Sequence, residues 1–281
     1  MLTVLHASDF QCGRPFRPSA AEAFLRLARD VSPDLVVVSG DLTQRAKRRE
    51  YATAASILDR LPDVPVVITP GNHDVPLFRV WERLVSPYRN WREAMSPTLD
   101  VVTKVDGATF VALNSSAPRR AIVNGRLDPE QIGFAREAFQ AADPSDVRVL
   151  VVHHHFVPVP DGTDGRTLPR ASDLVRGFEA MGVDLVLGGH VHQTHIATSN
   201  DLLGERKLPG VPLVACGTTT SWRGRGPEKH LNSLNVVRIA SAEIEILPHI
   251  MHEGGAAFDP TGPVVIARRP SYGAPASERS R

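Results

Sequence analysis

The feature that most constrains the fold is a series of short β-branched runs, each closed by small or polar turn residues. "TVLHAS", "DLVVVSG", "PVVITPG", "TFVALNS", "RVLVVHH", "DLVLGG", "PLVACG", "LNVVRI" and "EIEIL" recur along the 281-residue chain. Most lack the alternation of a sheet with one wet face, so they read as strands buried on both faces. Such strands need covering layers. Helical patterns lie between several of them: Ser19 to Val31, Ala46 to Leu61, Leu77 to Met95, Asp128 to Ala142 and Ala171 to Met181. Ser19 and Asp128 are candidate N-caps, the latter followed by Pro129 at the first helical position. Strands alternate with helices early and dominate late, which points to α/β layers around one core. The expected domain covers 1–250, and a Gly-, Pro-, Ser- and Arg-rich tail, 251–281, is expected to be mobile.

Hydrophobic residues make up 42% of the chain, enough for a substantial core. Thirty-two Lys and Arg against thirty-one Asp and Glu give a formal charge of +1, so no global field draws the chain to nucleic acid or an anionic membrane. A local basic patch remains open. Only Cys12 and Cys216 are present, and "MLTVLHASDF" enters a strand without a signal-peptide pattern, so a cytoplasmic location is expected. No apolar run has the length of a membrane span.

The chemistry sits where the strands end. Asp9 follows "LHAS", Asp41 follows "VVVSG", and Asn72, His73 and Asp74 follow "VVITPG". His153 to His155 follow "RVLVV", and His190 and His192 follow "LVLGG". Carboxyl ends of strands in open α/β sheets converge on the ligand crevice, so one pocket could gather them all. Taken singly, each has a plainer role: a cap or turn Asp, a hydrogen-bonded core His, a left-handed Asn72, or surface histidines after a glycine turn in "GGHVH". Occurring together at five strand ends, they favour a mixed oxygen and nitrogen metal site, and no cysteine cluster competes. Two cations about 3.5–4 Å apart would clamp a phosphate and acidify a water toward roughly pKa 7, which suits phosphate ester hydrolysis.

The segments "SDFQCG", "SGDLTQ", "PGNHD", "VVHHH" and "GGHVH", in this order, resemble the calcineurin-like metallophosphoesterases. The later "ACGTTTSWRGRGPEKHLNSLNVVRI" resembles the branch containing bacterial cyclic-nucleotide phosphodiesterases. The resemblance implies an α/β fold, a four-layer α/β/β/α sandwich with two central mixed sheets. It also implies two divalent metal ions, Mn, Fe or Zn. One would be held by Asp9, the residue at 11, Asp41 and His192, and the other by Asp41, Asn72, His153 and His190. His73 would be the catalytic group that binds the phosphate or protonates the leaving oxygen. The implied activity is hydrolysis of a small phosphoester by metal-bound hydroxide, a phosphodiester before a monoester, with cAMP the first substrate to consider. A metal-binding scaffold of the same fold without turnover is the alternative.

Two positions depart from a simple carry-over. The family pattern is Asp-x-His, but Gln11 stands at the His position, and a neutral amide oxygen is a weaker, harder ligand than imidazole. The Asp9/Gln11 metal is therefore expected to bind weakly, with a bias toward Mn or Fe. Cys12 would point the opposite way on extended backbone and reads as a buried thiol. In the histidine triplet, His153 directly follows the apolar run and is taken as the ligand, with His154 the alternative. Strand alternation would place His153 and His155 on one side and His154 on the other. Arg119, Arg120, Arg223 and Arg225 lie in loops from which a phosphate could be reached. "FVPVPDGTDGRTLP" and "QTHIATSNDLLGERKLPG" are expected to form the pocket rim.

Overall fold

A computed structural model describes residues 1–120, 123–159, 166–205 and 209–268. The first half runs β1 (Leu2–Ala7), α1 (Pro18–Val31), β2 (Leu35–Val38), α2 (Arg48–Leu58), β3 (Val66–Ile68), α3 (Val80–Val85), α4 (Arg89–Ala94), β4 (Val101–Val105), β5 (Ala108–Leu113) and α5 (Pro129–Gln140). The second half runs β6 (Val147–Val152), α6 (Ala171–Ala180), β7 (Leu185–Gly188), β8 (His195–Thr198), α7 (Ser199–Leu203), β9 (Pro212–Ala215), β10 (Asn232–Ile239), β11 (Glu243–Met251), β12 (Asp259–Pro260) and β13 (Val264–Ala267).

Two mixed sheets result. One has the order β12-β11-β10-β1-β2-β3, with β13 also paired to β11, and the other β4-β5-β6-β7-β9-β8. β1 is central to the first, with Leu5 opposite Val36 of parallel β2 and Val236 of antiparallel β10. The strand period of two then divides the side chains between layers. Val4, Leu35 and Val37 meet Phe110, Val149 and Leu187 between the sheets. Their neighbours Leu5, Val36 and Val38 pack outward with Phe24 of α1 and Tyr51 of α2. Leu150 and Val152 pack outward on the other side with Phe139 of α5 and Phe178 of α6. The architecture is thus the four-layer sandwich, its strands buried on both faces. Each such apolar side chain contributes roughly 1.5–3 kcal/mol on burial, enough in sum to hold strained loops at the strand ends.

Several local expectations change. The helix expected over Leu77 to Met95 is interrupted between α3 and α4, where Ser86 has φ −143° and ψ 60° ahead of Pro87. Proline disfavours helical geometry in the residue before it. Ser19 lies inside α1, whose N-cap is Arg17, whereas Asp128 does cap α5, its N–H donating to Gln131 Oε1 at 3.1 Å. Part of the expected rim, "QTHIATSNDLLGERKLPG", is instead the edge strand β8 and helix α7, with Leu202 and Leu203 in the outer core. Within "FVPVPDGTDGRTLP", residues 160–165 lie outside the described residues. The sheet also continues past residue 250, because β12 and β13 pair with β11. There Arg268 Nε meets Asp184 Oδ1 at 2.9 Å in a buried ion pair. Residues 269–281 lie outside the described residues. No helix among the described residues is long and apolar enough to cross a membrane.

Candidate metal centre

β1, β2 and β3 run parallel, as do β6 and β7, so the loops at their carboxyl ends can share one edge of the sandwich. All the expected site residues meet there. Asp9 Oδ1 lies 3.1 Å from His192 Nε2, which is 3.1 Å from Gln11 Nε2. Asp41 Oδ1 lies 3.5 Å from His153 Nε2, itself 3.3 Å from Asn72 Oδ1. Asn72 Oδ1 is also 2.9 Å from His190 Nδ1. Asp9, Asp41 and His153 join these groups, offering ligand atoms within 4.8 Å of one another. His73 sits alongside, its main-chain N–H donating to Asp41 Oδ1 at 2.7 Å.

The backbone is bent hard to achieve this. Asp9, Gln11, Asp41, His190 and His192 all have left-handed φ, between 47° and 76°. A non-glycine residue in that region costs on the order of 1–3 kcal/mol, and such strain collects at functional sites. Glycines give the room: a Cβ at Gly71 would overlap Asp41 Oδ1, and one at Gly40, where φ is +97°, would overlap the His153 ring. Asp74 holds the turn after β3 against the loop after β2. It accepts the N–H groups of Leu42, Thr43 and Gly71 at 2.9–3.1 Å, so it anchors backbone rather than joining the cluster.

Ring orientations follow from second contacts. His153 Nδ1 donates to Ser39 O at 2.7 Å and His192 Nδ1 to Arg223 O at 3.0 Å, which directs each Nε2 into the cluster. His154 Nδ1 instead lies 2.7 Å from Ser115 Oγ. The expected alternation of the triplet does not hold, because β6 stops at Val152. His153, His154 and His155 instead pack around His190, with ring centroids 4.6–5.5 Å from it.

Burial opposes charge on His153, yet the adjacent Asp41 carboxylate raises it to about 9. Burial would also raise Asp41, but the charges of His153 and His73 outweigh it and hold the carboxyl well below the usual range. Burial, reinforced by the neighbouring histidines, pushes His190 far down. His73 is lowered chiefly by burial, with Arg223 adding to the effect against the pull of Asp41. It is neutral near pH 7, with Nδ1 donating to Gln44 O at 3.0 Å and Nε2 accepting from Arg223 Nη1 at 3.0 Å.

The donor set fits divalent cations. Asp9 Oδ1 and Asp41 Oδ2 are buried and, among the described residues, accept no hydrogen bond, whereas Asp9 Oδ2 accepts from Ser8 Oγ and the His190 N–H. Buried carboxylate oxygens without donors call for a positive partner. Carboxylate, amide and imidazole groups suit borderline and hard divalent ions.

The four loop arginines separate. Arg223 reaches His73, while the Arg119 guanidinium donates to Leu84 O and Arg120 lies 3.7 Å from Asp128. Arg225 touches the site through its backbone N–H, which donates to His192 O at 3.0 Å. Ser8, Thr218 and Ser221 were not singled out from the sequence. Their hydroxyls bond within the cluster's loops, and the run "TTTS" after β9 was the signal for the last two. Cys12 is a fully buried thiol whose pKa burial raises, as its position suggested.

Residues 2–194 match the family model described as calcineurin-like phosphoesterase. The chain belongs to that family. A protein described as a probable cyclic nucleotide phosphodiesterase in Rhodococcus erythropolis is 26% identical over 69% of this chain and 60% of its own length. One with the same description in a Synechococcus strain is 30% identical over 64% of this chain and 65% of its own. These matches therefore span about three fifths of the relatives' lengths. A dimetal phosphatase from Danio rerio superimposes with a TM-score of 0.65, covering 96% of this chain and 99% of that one at 13% identity. That likeness shows the shared phosphoesterase fold.

Proposed function

We propose that this calcineurin-like phosphoesterase hydrolyses phosphodiesters with two divalent cations, of the Mn, Fe or Zn kind. Asp9, Gln11, Asp41 and His192 would hold one and Asp41, Asn72, His153 and His190 the other. Bound there, such a pair supplies a water acidic enough to ionise near neutral pH and positive charge opposite the phosphate oxygens. The observation that carries this reading is the pair of donorless buried oxygens on Asp9 and Asp41, gathered with His153. Arg223 would bind a phosphate oxygen. In doing so it leaves His73 Nε2, and that nitrogen, once protonated, would serve the departing alcohol oxygen. Because both bacterial relatives are described as probable cyclic nucleotide phosphodiesterases, cAMP is the first substrate to try.

Gln11 does not by itself favour a silent scaffold, because its amide is buried beside His192 within the same cluster. Its direction follows from counting protons. Thr218 Oγ1 donates to Asp9 O at 2.9 Å, Thr218 Oγ1 and Ser221 Oγ are 2.6 Å apart, and Ser221 Oγ is 3.1 Å from Gln11 Oε1. Two hydroxyl protons must then serve three contacts, while Gln11 Nε2 donates to His192. Turning the amide over lets its N–H donate to Ser221, Ser221 to Thr218, and Thr218 to Asp9. Only the Gln11 oxygen and His192 Nε2 would then lack a proton between them, and a cation beside Asp9 Oδ1 satisfies both. Metal binding would therefore favour the oxygen-inward amide.

Metal analysis of the purified protein, run beside hydrolysis of bis(p-nitrophenyl) phosphate and cAMP with added Mn²⁺, tests the proposal. Turnover lost in Asn72→Ala is expected. A fully metal-loaded protein inert toward a panel of phosphodiesters and phosphomonoesters would establish the scaffold instead.

A further inference from the structure

We infer that the substrate carries a second phosphoryl group on its leaving-alcohol side, bound in the basic cavity beside His73. This inference rests on the phosphodiesterase reading above and sets a diester with a second phosphoryl group ahead of cAMP, which has only one. The cavity has a volume of about 760 Å³, and His73 forms part of its wall. Arg14, Arg45, Lys47, Arg49 and Arg223 line it, against one acidic side chain, Glu50. Glu50 is buried, and its Oε2 accepts the backbone N–H groups of Arg45 at 2.7 Å and Lys47 at 3.3 Å. Its role is to shape the loop. Among the described residues, Arg14, Arg45, Lys47 and Arg49 form no ion pair. In a chain with a net charge of only +1, this is a local concentration of cations.

One phosphodiester bears one negative charge, which cations held by the cluster, together with Arg223, would already oppose. Four further cations across His73 exceed what that charge requires. Clustered cations attract and retain polyanions. The side is fixed by His73, which lies between the cluster and the cavity in its contacts: Asp41 on one hand, Gln44 and Arg223 on the other. A group leaving past His73 enters the basic cavity. Two exposed aromatic residues adjoin its lining residues in sequence: Phe78 follows Leu77 and lies 4.7 Å from the Arg45 guanidinium, and Trp222 precedes Arg223. Exposed rings among cations suit a leaving group that also carries a base. In the reaction a water oxygen bonds to phosphorus, the bond from phosphorus to the leaving oxygen breaks, and a water proton ends on that oxygen. The second phosphoryl group passes through unchanged.

The test compares 5′-phosphoadenylyl-(3′→5′)-adenosine with adenylyl-(3′→5′)-adenosine on the metal-loaded protein, with bis(p-nitrophenyl) phosphate as the simple diester. At low salt, kcat/KM should favour the phosphorylated dinucleotide by about tenfold or more, and the advantage should shrink as ionic strength rises. In Lys47→Gln/Arg49→Gln, with melting temperature followed as the check on folding, the ratio should fall toward one. Calorimetry should show AMP binding more tightly than adenosine. Equal kcat/KM for the two dinucleotides at low salt, with the simple diester turned over, overturns the second-phosphate inference and leaves the phosphodiesterase reading intact. An advantage unchanged in the folded double variant overturns the assignment to this cavity. If no diester is hydrolysed, the phosphodiesterase reading fails, and equal binding of AMP and adenosine then removes the cavity's role as well.

Discussion

Around Asn72, His153 and His190 the donors are fixed by the fold itself: the His153 ring is tied to Ser39 O, and Asn72 Oδ1 lies between two imidazoles. Around Asp9, Gln11 and His192 one donor is an amide whose direction depends on two hydroxyls. The halves share Asp41 by proximity, with left-handed backbone at His190 in one and at Asp9, Gln11 and His192 in the other, yet only one can lose an imidazole and still present an oxygen. The contrast predicts unequal consequences for equivalent truncations. Asn72→Ala should cost roughly 10²–10³-fold in kcat, the scale of losing a positioned electrostatic group, together with metal from its half of the site. Gln11→Ala should cost much less and should be partly rescued by raising Mn²⁺. Measured kcat and metal stoichiometry decide it, and equal losses in the two variants would erase the distinction between the halves.

The histidine triplet sharpens the comparison. His153 presents Nε2 to Asp41 and Asn72, whereas His154 bonds Ser115. His153→Ala is expected to lower metal affinity by at least about 10–100-fold, the range seen when even an outer partner of a ligand is lost. His154→Gln, which retains a polar group near Ser115, should leave metal affinity within a few-fold of wild type. Calorimetric titration with Mn²⁺ reads both, and the reverse ranking would exchange the two residues' roles.

The gathering of these proposed ligands was legible in the sequence because each lies within four residues of the end of an apolar strand, a local pattern that survives whatever the loops do. Other features needed the tertiary structure. The direction of each ring in the triplet depends on β6 ending at Val152, beyond which the strand period no longer applies. β8, β12 and β13 are short and find their meaning only in pairing with β9 and β11, so polar or Gly- and Pro-rich surroundings concealed them. The break at Ser86-Pro87 was a local signal overridden by the helical pattern on either side. The basic cavity draws on residues 14, 45, 47, 49 and 223, a grouping that a net charge of +1 averages away.

Gln11→His should strengthen the weaker half. Imidazole in place of an amide is expected to raise metal affinity there by roughly tenfold, equivalent to about 1.4 kcal/mol. At subsaturating metal this should appear as a higher melting temperature and a lower Mn²⁺ concentration for half-maximal activity. Identical activation curves for wild type, Gln11→His and Gln11→Ala would remove position 11 from the site.

The smallest expected effect isolates the hydroxyl chain. Ser221→Ala removes the group that would receive the Gln11 N–H, and one hydrogen bond contributes about 0.5–1.5 kcal/mol, or roughly a 2- to 12-fold change in metal affinity. Ser221 could also act on Asp9 through Thr218, so the single variant does not distinguish the routes. A double-mutant cycle does. If Ser221 works by turning the amide, Ser221→Ala should be silent in the Gln11→Ala background, because no oxygen remains to be directed inward. An undiminished effect in that background would mean that the hydroxyls hold the Asp9 loop, and that Gln11 takes its direction from elsewhere.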